Sequence, residues 1–261
     1  MKVSIITACF NRKDTIAQAI ESVLAQDYPD IEYIVVDGAS GDGSLEVIGR
    51  YRDRIARIIS EPDGGMYEAV NKGIRAATGD VIGLLHSDDF MFDRHVVSHV
   101  METMAREKAD LVYANGLYVN KDDTRQVVRD WRSGVCRRWK LRCGWLPLHP
   151  TVYIRRDALE REGLYDETYK IASDTDWLFH YLYESDLRVA YMDRYVVVMR
   201  MGGLSTYGSA LRRLMWKEDV RIYKKYGLNG LRVKLMKMCW KIPQFIRPKL
   251  HGGYYGEKRD D

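Results

Sequence analysis

The first ninety residues alternate apolar runs with helix-period stretches, and this alternation constrains the fold more than any other feature. Runs suited to buried strands occur at Val3–Ala8, Tyr33–Asp37, Ile55–Ser60 and Val81–Leu85. Between them, apolar residues recur with helical spacing over Thr15–Ala25, Ser44–Arg52 and Met66–Ala77. Strand and helix in turn imply a parallel sheet with right-handed crossovers, an α/β fold with a Rossmann-like nucleotide-binding sheet. In open sheets of this kind ligands bind at the carboxyl ends of the strands. Three loops leave that edge, carrying Phe10-Asn11, Asp37 to Gly43 and Ser87-Asp88-Asp89.

The regularity breaks after residue 90. A helix is expected over Phe92–Ala105 and strands over Leu111–Val119 and Val127–Trp131, with Ser133–Pro147 irregular. A short strand at Thr151–Ile154, a helix at Thr175–Tyr183 and strands at Val189–Tyr191 and Val196–Met201 follow. The chain then reads as helical over Tyr207–Tyr226 and Leu231–Trp240, and as disordered over Gly252–Asp261. The expected organisation is a catalytic unit over residues 1–206, with halves 1–90 and 91–206, a basic helical extension over 207–250 and a tail over 251–261.

Composition narrows the function. The chain has 261 residues, and its formal net charge of +4 is too small to imply a nucleic-acid partner. No run approaches the ~20 apolar residues of a spanning helix, and the N-terminus lacks a signal-peptide pattern, so a cytoplasmic location is expected. Cys9, Cys136, Cys143 and Cys239 have no paired spacing and read as free thiols rather than as a zinc set with His149. From Arg212 to Lys249 basic residues mix with Trp216, Trp240 and Phe245. Two readings of this stretch stand: peripheral docking on an anionic membrane, or amphipathic helices packed on the catalytic unit.

Each motif also has a structural reading beside its chemical one. In Asp37-Gly38-Ala39-Ser40-Gly41-Asp42-Gly43-Ser44, glycines permit close backbone approach and an aspartate at a strand end can accept from a base N–H. The alternative is a polar turn with Ser44 capping a helix. Asp63-Gly64-Gly65-Met66 turns into a helix that carries Asn71, Lys72 and Gly73, otherwise read as a solvated helix end. Asp88 and Asp89 repel each other when both are ionised, and a divalent cation, Mg²⁺ or Mn²⁺, relieves that cost; capping the next helix is the alternative. Asp174 or Asp176 can serve as a general base, or Asp174 as a helix cap.

Taken together, Ser4 to Asn11, Ile34 to Ser44, Glu61 to Gly73, Ala77 to Asp80 and His86 to Asp89 resemble the family 2 glycosyltransferases of GT-A fold. A looser likeness runs through His149-Pro150-Thr151, Asp174-Thr175-Asp176 and Gly202 to Ser205, nearest to bacterial members that build O-antigen, capsule or exopolysaccharide. The resemblance implies that Thr7, Ala8, Phe10, Asn11, Asp37, Gly38, Ser40, Asp63, Lys72, Ser87 and Asp88 contact a nucleotide-sugar, a UDP-sugar by expectation. Asp37 would read the base edge, Asp63 and Lys72 would face the nucleotide or diphosphate, and Asp88 would approach the ribose or sugar. Asp89, with Asp88, would hold the metal. Asp174 stands where the family places its catalytic base, although Ser173 precedes it instead of the usual Glu. His149 is read as a sugar contact or a structural histidine, and Gly202 to Ser205 as a flap or a plain turn. The implied activity is inverting transfer of one hexose to a glycan or polyprenyl-linked acceptor. The QxxRW motif of processive synthases is absent. A nucleotidyltransferase and a non-catalytic nucleotide-sugar-binding protein are the competing readings.

Overall fold

The computed structural model describes residues 1–202 and 208–250. These form a nine-stranded mixed sheet in the order β3-β2-β1-β4-β8-β6-β9-β5, with β7 paired to β6 beside that path. The strands are β1 (Val3–Cys9), β2 (Ile31–Asp37), β3 (Arg57–Ser60), β4 (Val81–Leu84), β5 (Phe90–Met91), β6 (Leu111–Val119), β7 (Val127–Trp131), β8 (Tyr153–Arg155) and β9 (Val189–Arg200). The helices are α1 (Ile16–Leu24), α2 (Ser44–Gly49), α3 (Met66–Ala76), α4 (Val96–Glu107), α5 (Arg138–Arg142), α6 (Arg156–Glu162), α7 (Ser173–Phe179), α8 (Ser209–Lys225) and α9 (Gly230–Leu250).

Strands β1, β2, β3 and β4 pair in parallel, as the alternation requires. Successive side chains on a strand face opposite ways, so the sheet carries two apolar layers. Ile6, Ile34, Val36, Ile82 and Leu84 pack toward Val70 and Ile74 of α3 and toward Trp177 of α7. Val3, Ile5, Tyr33, Val35 and Val81 pack toward Ile16 and Ile20 of α1 and toward Val97 and Val100 of α4. Helices on both sides explain why these strands read as continuous apolar runs. Gly73 lies inside α3 and does not end it. A Cβ there would come within 2.4 Å of Ile6 Cγ2, so the glycine sets how closely α3 approaches β1.

Past residue 90 the structure departs from expectation. The pair Phe90–Met91 forms β5 against β9, and the helix expected from Phe92 begins at Val96. The irregular stretch after Ser133 contains α5, and α6 follows β8 directly. The two strands expected after Val189 are one strand of 12 residues, pairing parallel to β6 across a register shift. Helix α9 runs on past Trp240 to Leu250 through Pro243 and Pro248. No helix among the described residues is long and apolar enough to cross a membrane. The expected tail at Gly252–Asp261 and the segment from Gly203 to Tyr207 lie outside the described residues, and with them most of the Gly202 to Ser205 turn.

Helices α8 and α9 belong to the core. Ile222, Tyr223, Tyr226 and Val233 are buried in the same layer as Trp177 and Phe179. Gly144 has φ of 75°, and a Cβ on it would lie 2.7 Å from Val233 O, so α9 seats against the turn after α5. Trp240 Nε1 donates to Cys143 O at 3.0 Å and ties the same contact.

Candidate active site

The carboxyl ends of β2, β1 and β4 stand side by side. They deliver Asp37, the Phe10–Asn11 turn and the Ser87–Asp89 turn to one edge. The first two loops are laced together. Asn11 N donates to Ser40 Oγ at 2.9 Å, Gly41 N donates to Asn11 Oδ1 at 3.0 Å, and Lys13 N donates to Asp42 Oδ2 at 3.0 Å. Asn11 and Ala39 hold positive φ of 51° and 59°, a conformation non-glycine residues adopt at a cost that clusters at functional loops. Ser44 does not cap α2. Its hydroxyl accepts from Arg12 N at 2.7 Å and donates to Asp42 Oδ1 at 2.5 Å, closing the two loops onto each other.

Asp37 is fully buried. Its Oδ2 accepts from Ser60 Oγ at 2.8 Å and from Ser40 N at 3.1 Å, while its Oδ1 has no partner. Gly38 leaves room beside it, since a Cβ would meet Asp63 Oδ2 at 2.5 Å and Phe10 Cδ2 at 3.3 Å. Phe10 is 58% exposed, an open ring at the mouth of this cleft. Burial pushes the Asp63 carboxyl up from its ordinary value, against the Gly65 N–H that it accepts. Lys72 is engaged with Glu61 at 3.0 Å, Glu68 at 3.1 Å and Pro62 O at 3.0 Å. Asn71 is not a solvated helix end. It is buried and bonds the Tyr165 backbone from both sides of its amide. Thr7 is fully buried with its hydroxyl accepting from Tyr33, so its side chain lies below the cleft rather than in it.

Asp88 and Asp89 precede β5, not a helix, so neither is a helix cap. Asp89 is 1% exposed; its Oδ1 accepts from Arg200 N at 3.0 Å, and its Oδ2 has no partner. Burial first, and the neighbouring Asp88 next, push the Asp89 carboxyl well above the usual carboxylate range. Arg200 also donates through its guanidinium to Asp88 O and to Gln18 Oε1, and Arg12 lies 3.8 Å from Asp88 Oδ2. Ser87 is buried, and its carbonyl accepts from Thr15 Oγ1 at 2.9 Å. An enclosed carboxylate oxygen without a donor suits a cation. Among the described residues no three His, Cys, Asp or Glu side chains gather to hold a metal alone. Asp89 and Asp88 offer carboxylate oxygens of the hard kind that a divalent ion takes.

Asp174 lies in the first turn of α7, and Ala172 occupies the cap position. Its Oδ1 accepts from Thr175 N at 2.7 Å and faces Tyr67 Oη at 3.4 Å. Burial pushes its carboxyl up, opposed chiefly by the charge of Lys237. Asp176, its rival, is taken: Lys225 Nζ reaches both oxygens at 3.0 and 2.9 Å, and Tyr226 Oη donates at 3.1 Å. The segment that leads into α7 is held from a distance. Glu218 of α8 accepts from Lys170 N, Ile171 N and Ala172 N at 2.9, 3.0 and 2.9 Å. Lys237 of α9 bridges Thr175 Oγ1 at 3.1 Å and Asp219 Oδ1 at 3.0 Å.

His149 joins no zinc set. It shares a 2.6 Å hydrogen bond with Tyr165 Oη and stands edge-on to Trp177, and burial pushes its pKa down to about 3. Burial likewise lowers His86, against the charge of Asp88. All four cysteines are free.

The chain is 29% identical over 248 residues to the uncharacterized glycosyltransferase EpsJ of Bacillus subtilis, covering 87% of this chain and 71% of that one. It is 38% identical over 123 residues to the Escherichia coli UDP-Glc:alpha-D-GlcNAc-diphosphoundecaprenol beta-1,3-glucosyltransferase WfaP, covering 46% and 47%. The match to the uncharacterized Mycobacterium tuberculosis glycosyltransferase Rv1514c is 41% over 104 residues and spans 40% of each chain. Among solved structures, S. aureus TarS in complex with UDP-GlcNAc superposes with a TM-score of 0.66 at 18% identity, over 85% of this chain and 65% of that one. Pyrobaculum calidifontis mannosyltransferase PcManGT, in complex with GDP-Man and Mn²⁺, gives 0.62 at 17%, over 98% and 76%. The fold is GT-A, and the description "Glycosyl transferase family 2" matches residues 4–171, so the chain belongs to that family of enzymes.

Proposed function

We propose that this glycosyltransferase is an inverting, metal-dependent hexosyltransferase of bacterial surface-polysaccharide synthesis. It moves one sugar from a UDP-sugar to a glycan or polyprenyl-linked acceptor. The observation that carries the reading is the pair of enclosed, partnerless oxygens, Asp37 Oδ1 and Asp89 Oδ2, on either side of the Phe10–Asn11 turn. One suits a base N–H and the other a cation, the two needs of a metal-bound nucleoside diphosphate. The UDP-GlcNAc and Mn²⁺ complexes of the fold neighbours and the diphosphoundecaprenol in the name of WfaP support the same reading.

In this mechanism Phe10 covers the base, Asp37 accepts from its edge, and Gly38, Ser40, Asn11 and Ala8 shape the cleft. Asp63 and Lys72 border the ribose and diphosphate, and Ser87 and Asp88 border the sugar. A divalent ion on Asp89 and Asp88, when bound, would neutralise charge growing on the departing diphosphate. Asp174 takes the proton of the acceptor hydroxyl as its oxygen bonds the anomeric carbon. The bond to the diphosphate breaks on the opposite face with its electron pair, so an α-linked donor gives a β-linked product. General-base help of this kind is typically ~10²–10⁴-fold. The first-strand loop Cys9-Phe10-Asn11-Arg12-Lys13 lacks the glycines a nucleotidyltransferase needs, which disfavours that alternative.

A UDP-sugar panel with Mn²⁺ tests the donor, read as UDP release. Asp174→Asn should lose transfer by at least two orders of magnitude while binding UDP as the parent does. Near-normal turnover in that variant would remove Asp174 as base.

The catalytic unit is residues 1–206, completed by the helical extension whose α8 and α9 close its core. The proposed location is the cytoplasmic face of the membrane. Helix α9 supports this, because its exposed side carries Leu231, Leu235, Met238, Ile242 and Ile246, while exposed Arg212, Arg213, Lys217, Arg221 and Lys224 lie along α8. A paired Leu235→Glu and Ile242→Glu variant should stay behind when the parent pellets with phosphatidylglycerol vesicles. Equal pelleting would dismiss α9 as the contact.

A further inference from the structure

Arg129 on β7 is an odd residue to find buried. It is 8% exposed, and its one hydrogen bond runs from Nε to Gln244 Oε1 of α9 at 2.6 Å. Its Nη2 is enclosed and has no partner. The guanidinium carbon lies 4.1 Å from the Trp131 ring, 4.9 Å from Tyr118 and 5.3 Å from Phe245. Aromatic faces soften the cost of a buried cation but do not neutralise it. Among the described residues no carboxylate pairs with Arg129.

Lys241 lies one turn of α9 before Gln244 and Phe245, and it forms no ion pair or hydrogen bond among the described residues. The cations Lys237, Arg129 and Lys234 act on it, opposed by the Asp219 carboxylate. That carboxylate is already held by Lys234 and Lys237. Burial and these neighbours push Lys241 down to about 8. At the corner between β7 and α9 neither the Arg129 guanidinium nor the Lys241 ammonium pairs with a carboxylate among the described residues, and a multiply charged anion is what would balance them.

Two neighbours define the anion. Tyr118, one wall of the Arg129 cage, pairs with Met199, next to the Arg200 whose backbone N–H holds Asp89, so the corner adjoins the candidate reaction centre. Phe245, another wall, is exposed beside Ile242 and Ile246, so the corner also borders the apolar face of α9. Unpaired positive charge, a guanidinium suited to phosphate oxygens and an apolar track leading away describe a diphosphate attached to a hydrocarbon.

We propose that Arg129 and Lys241 form an anion site that binds the diphosphate of an isoprenoid-linked acceptor, with its chain lying along Phe245, Ile242 and Ile246. This deepens the acceptor reading given above and rests on it. The site explains why a buried arginine is tethered to α9 by Gln244 rather than by a carboxylate: an acid there would repel the ligand.

Isothermal titration of the whole chain with farnesyl diphosphate tests it, with UDP and Mn²⁺ saturating the donor site so that the probe's diphosphate cannot enter there. Farnesyl diphosphate should bind saturably, farnesol and inorganic pyrophosphate each far more weakly. Arg129→Met and Lys241→Met should each weaken binding about tenfold or more, Lys241→Arg should restore it, and UDP affinity should not change. Lys241 is only partly buried, so its variants remain informative should Arg129→Met fail to fold. Equal binding by parent and variants, or binding that follows farnesol alone, overturns the proposal. So does Arg129-dependent pelleting with phosphatidylglycerol vesicles without saturable farnesyl diphosphate binding, which would assign the charge to bulk lipid headgroups. A UDP titration that fails on its own strikes the donor reading alone, and the farnesyl diphosphate comparison is then made without UDP.

Discussion

Asp174 works, on this reading, only when ionised, and two opposing influences set when that is. Burial raises its pKa and the Lys237 ammonium lowers it; Tyr67, Tyr165, Tyr118 and Tyr223 are the other titratable groups around it, with Asp219 and Lys234 behind Lys237. A general base is active above its pKa and fails as pH falls through it. Removing the ammonium raises Asp174 further, so in Lys237→Met the acid limb of the kcat profile should move to higher pH. Lys237→Arg should return it toward the parent, and the KM for the donor should stay unchanged. An acid limb that stays in place in Lys237→Met, with only stability altered, would reduce Lys237 to packing. The carboxylates themselves were legible in the sequence, because Asp37, Asp89 and Asp174 sit in local motifs at strand ends and a helix start. Their keepers were not. Arg200 bonds Asp89 across 111 positions, Glu218 holds the segment before α7 across 46 to 48, and Lys237 meets Thr175 across 62. No local spacing encodes such partners.

At the scale of elements, the alternation predicted β1 to β4 and α1 to α3 well, because strands buried on both faces and amphipathic helices each leave a clear period. Later elements misled for identifiable reasons. Polar Asp193-Arg194 split β9 in the reading, yet the strand crosses them through a register shift against β6. The expected helix ends at Trp240, yet α9 runs on through Pro243 and is held on both sides of it by Trp240 to Cys143 O and by Gln244 to Arg129. Gly73 is a packing residue rather than part of a solvated helix end. Gly73→Ala gains ~0.5–1 kcal/mol of helix preference, but the new methyl drives into Ile6 Cγ2, and overpacking of this kind costs ~1–3 kcal/mol. The variant should melt about 2–4 °C lower by calorimetry. An unchanged or higher melting temperature would mean that α3 yields to the methyl at no cost and that Gly73 is not a spacer.

For the whole molecule, the C-terminal helices matter most. Their basic, amphipathic sequence leaves membrane docking and packing on the catalytic unit both open, and the fold shows the packing. In the fold Lys234 and Lys237 of α9 turn inward to Asp219, while Leu231, Leu235, Met238, Ile242 and Ile246 stand exposed. Helix α8 holds the segment that leads into α7 through Glu218 and covers Phe179 with Tyr223 and Tyr226. Removing everything after Thr206 would expose side chains that each contribute ~1.5–3 kcal/mol when buried, in a chain whose net stability is expected at only ~5–15 kcal/mol. It would also leave Lys170, Ile171 and Ala172 without acceptors and Asp174 without Lys237. Residues 1–206 alone should therefore lack a cooperative thermal transition and bind no UDP, while far-ultraviolet circular dichroism still reports secondary structure. A truncated chain that melts cooperatively and binds UDP with parental affinity would make α8 and α9 an appendage. It would then place their function at the membrane alone, rather than jointly there and at the base they hold in position.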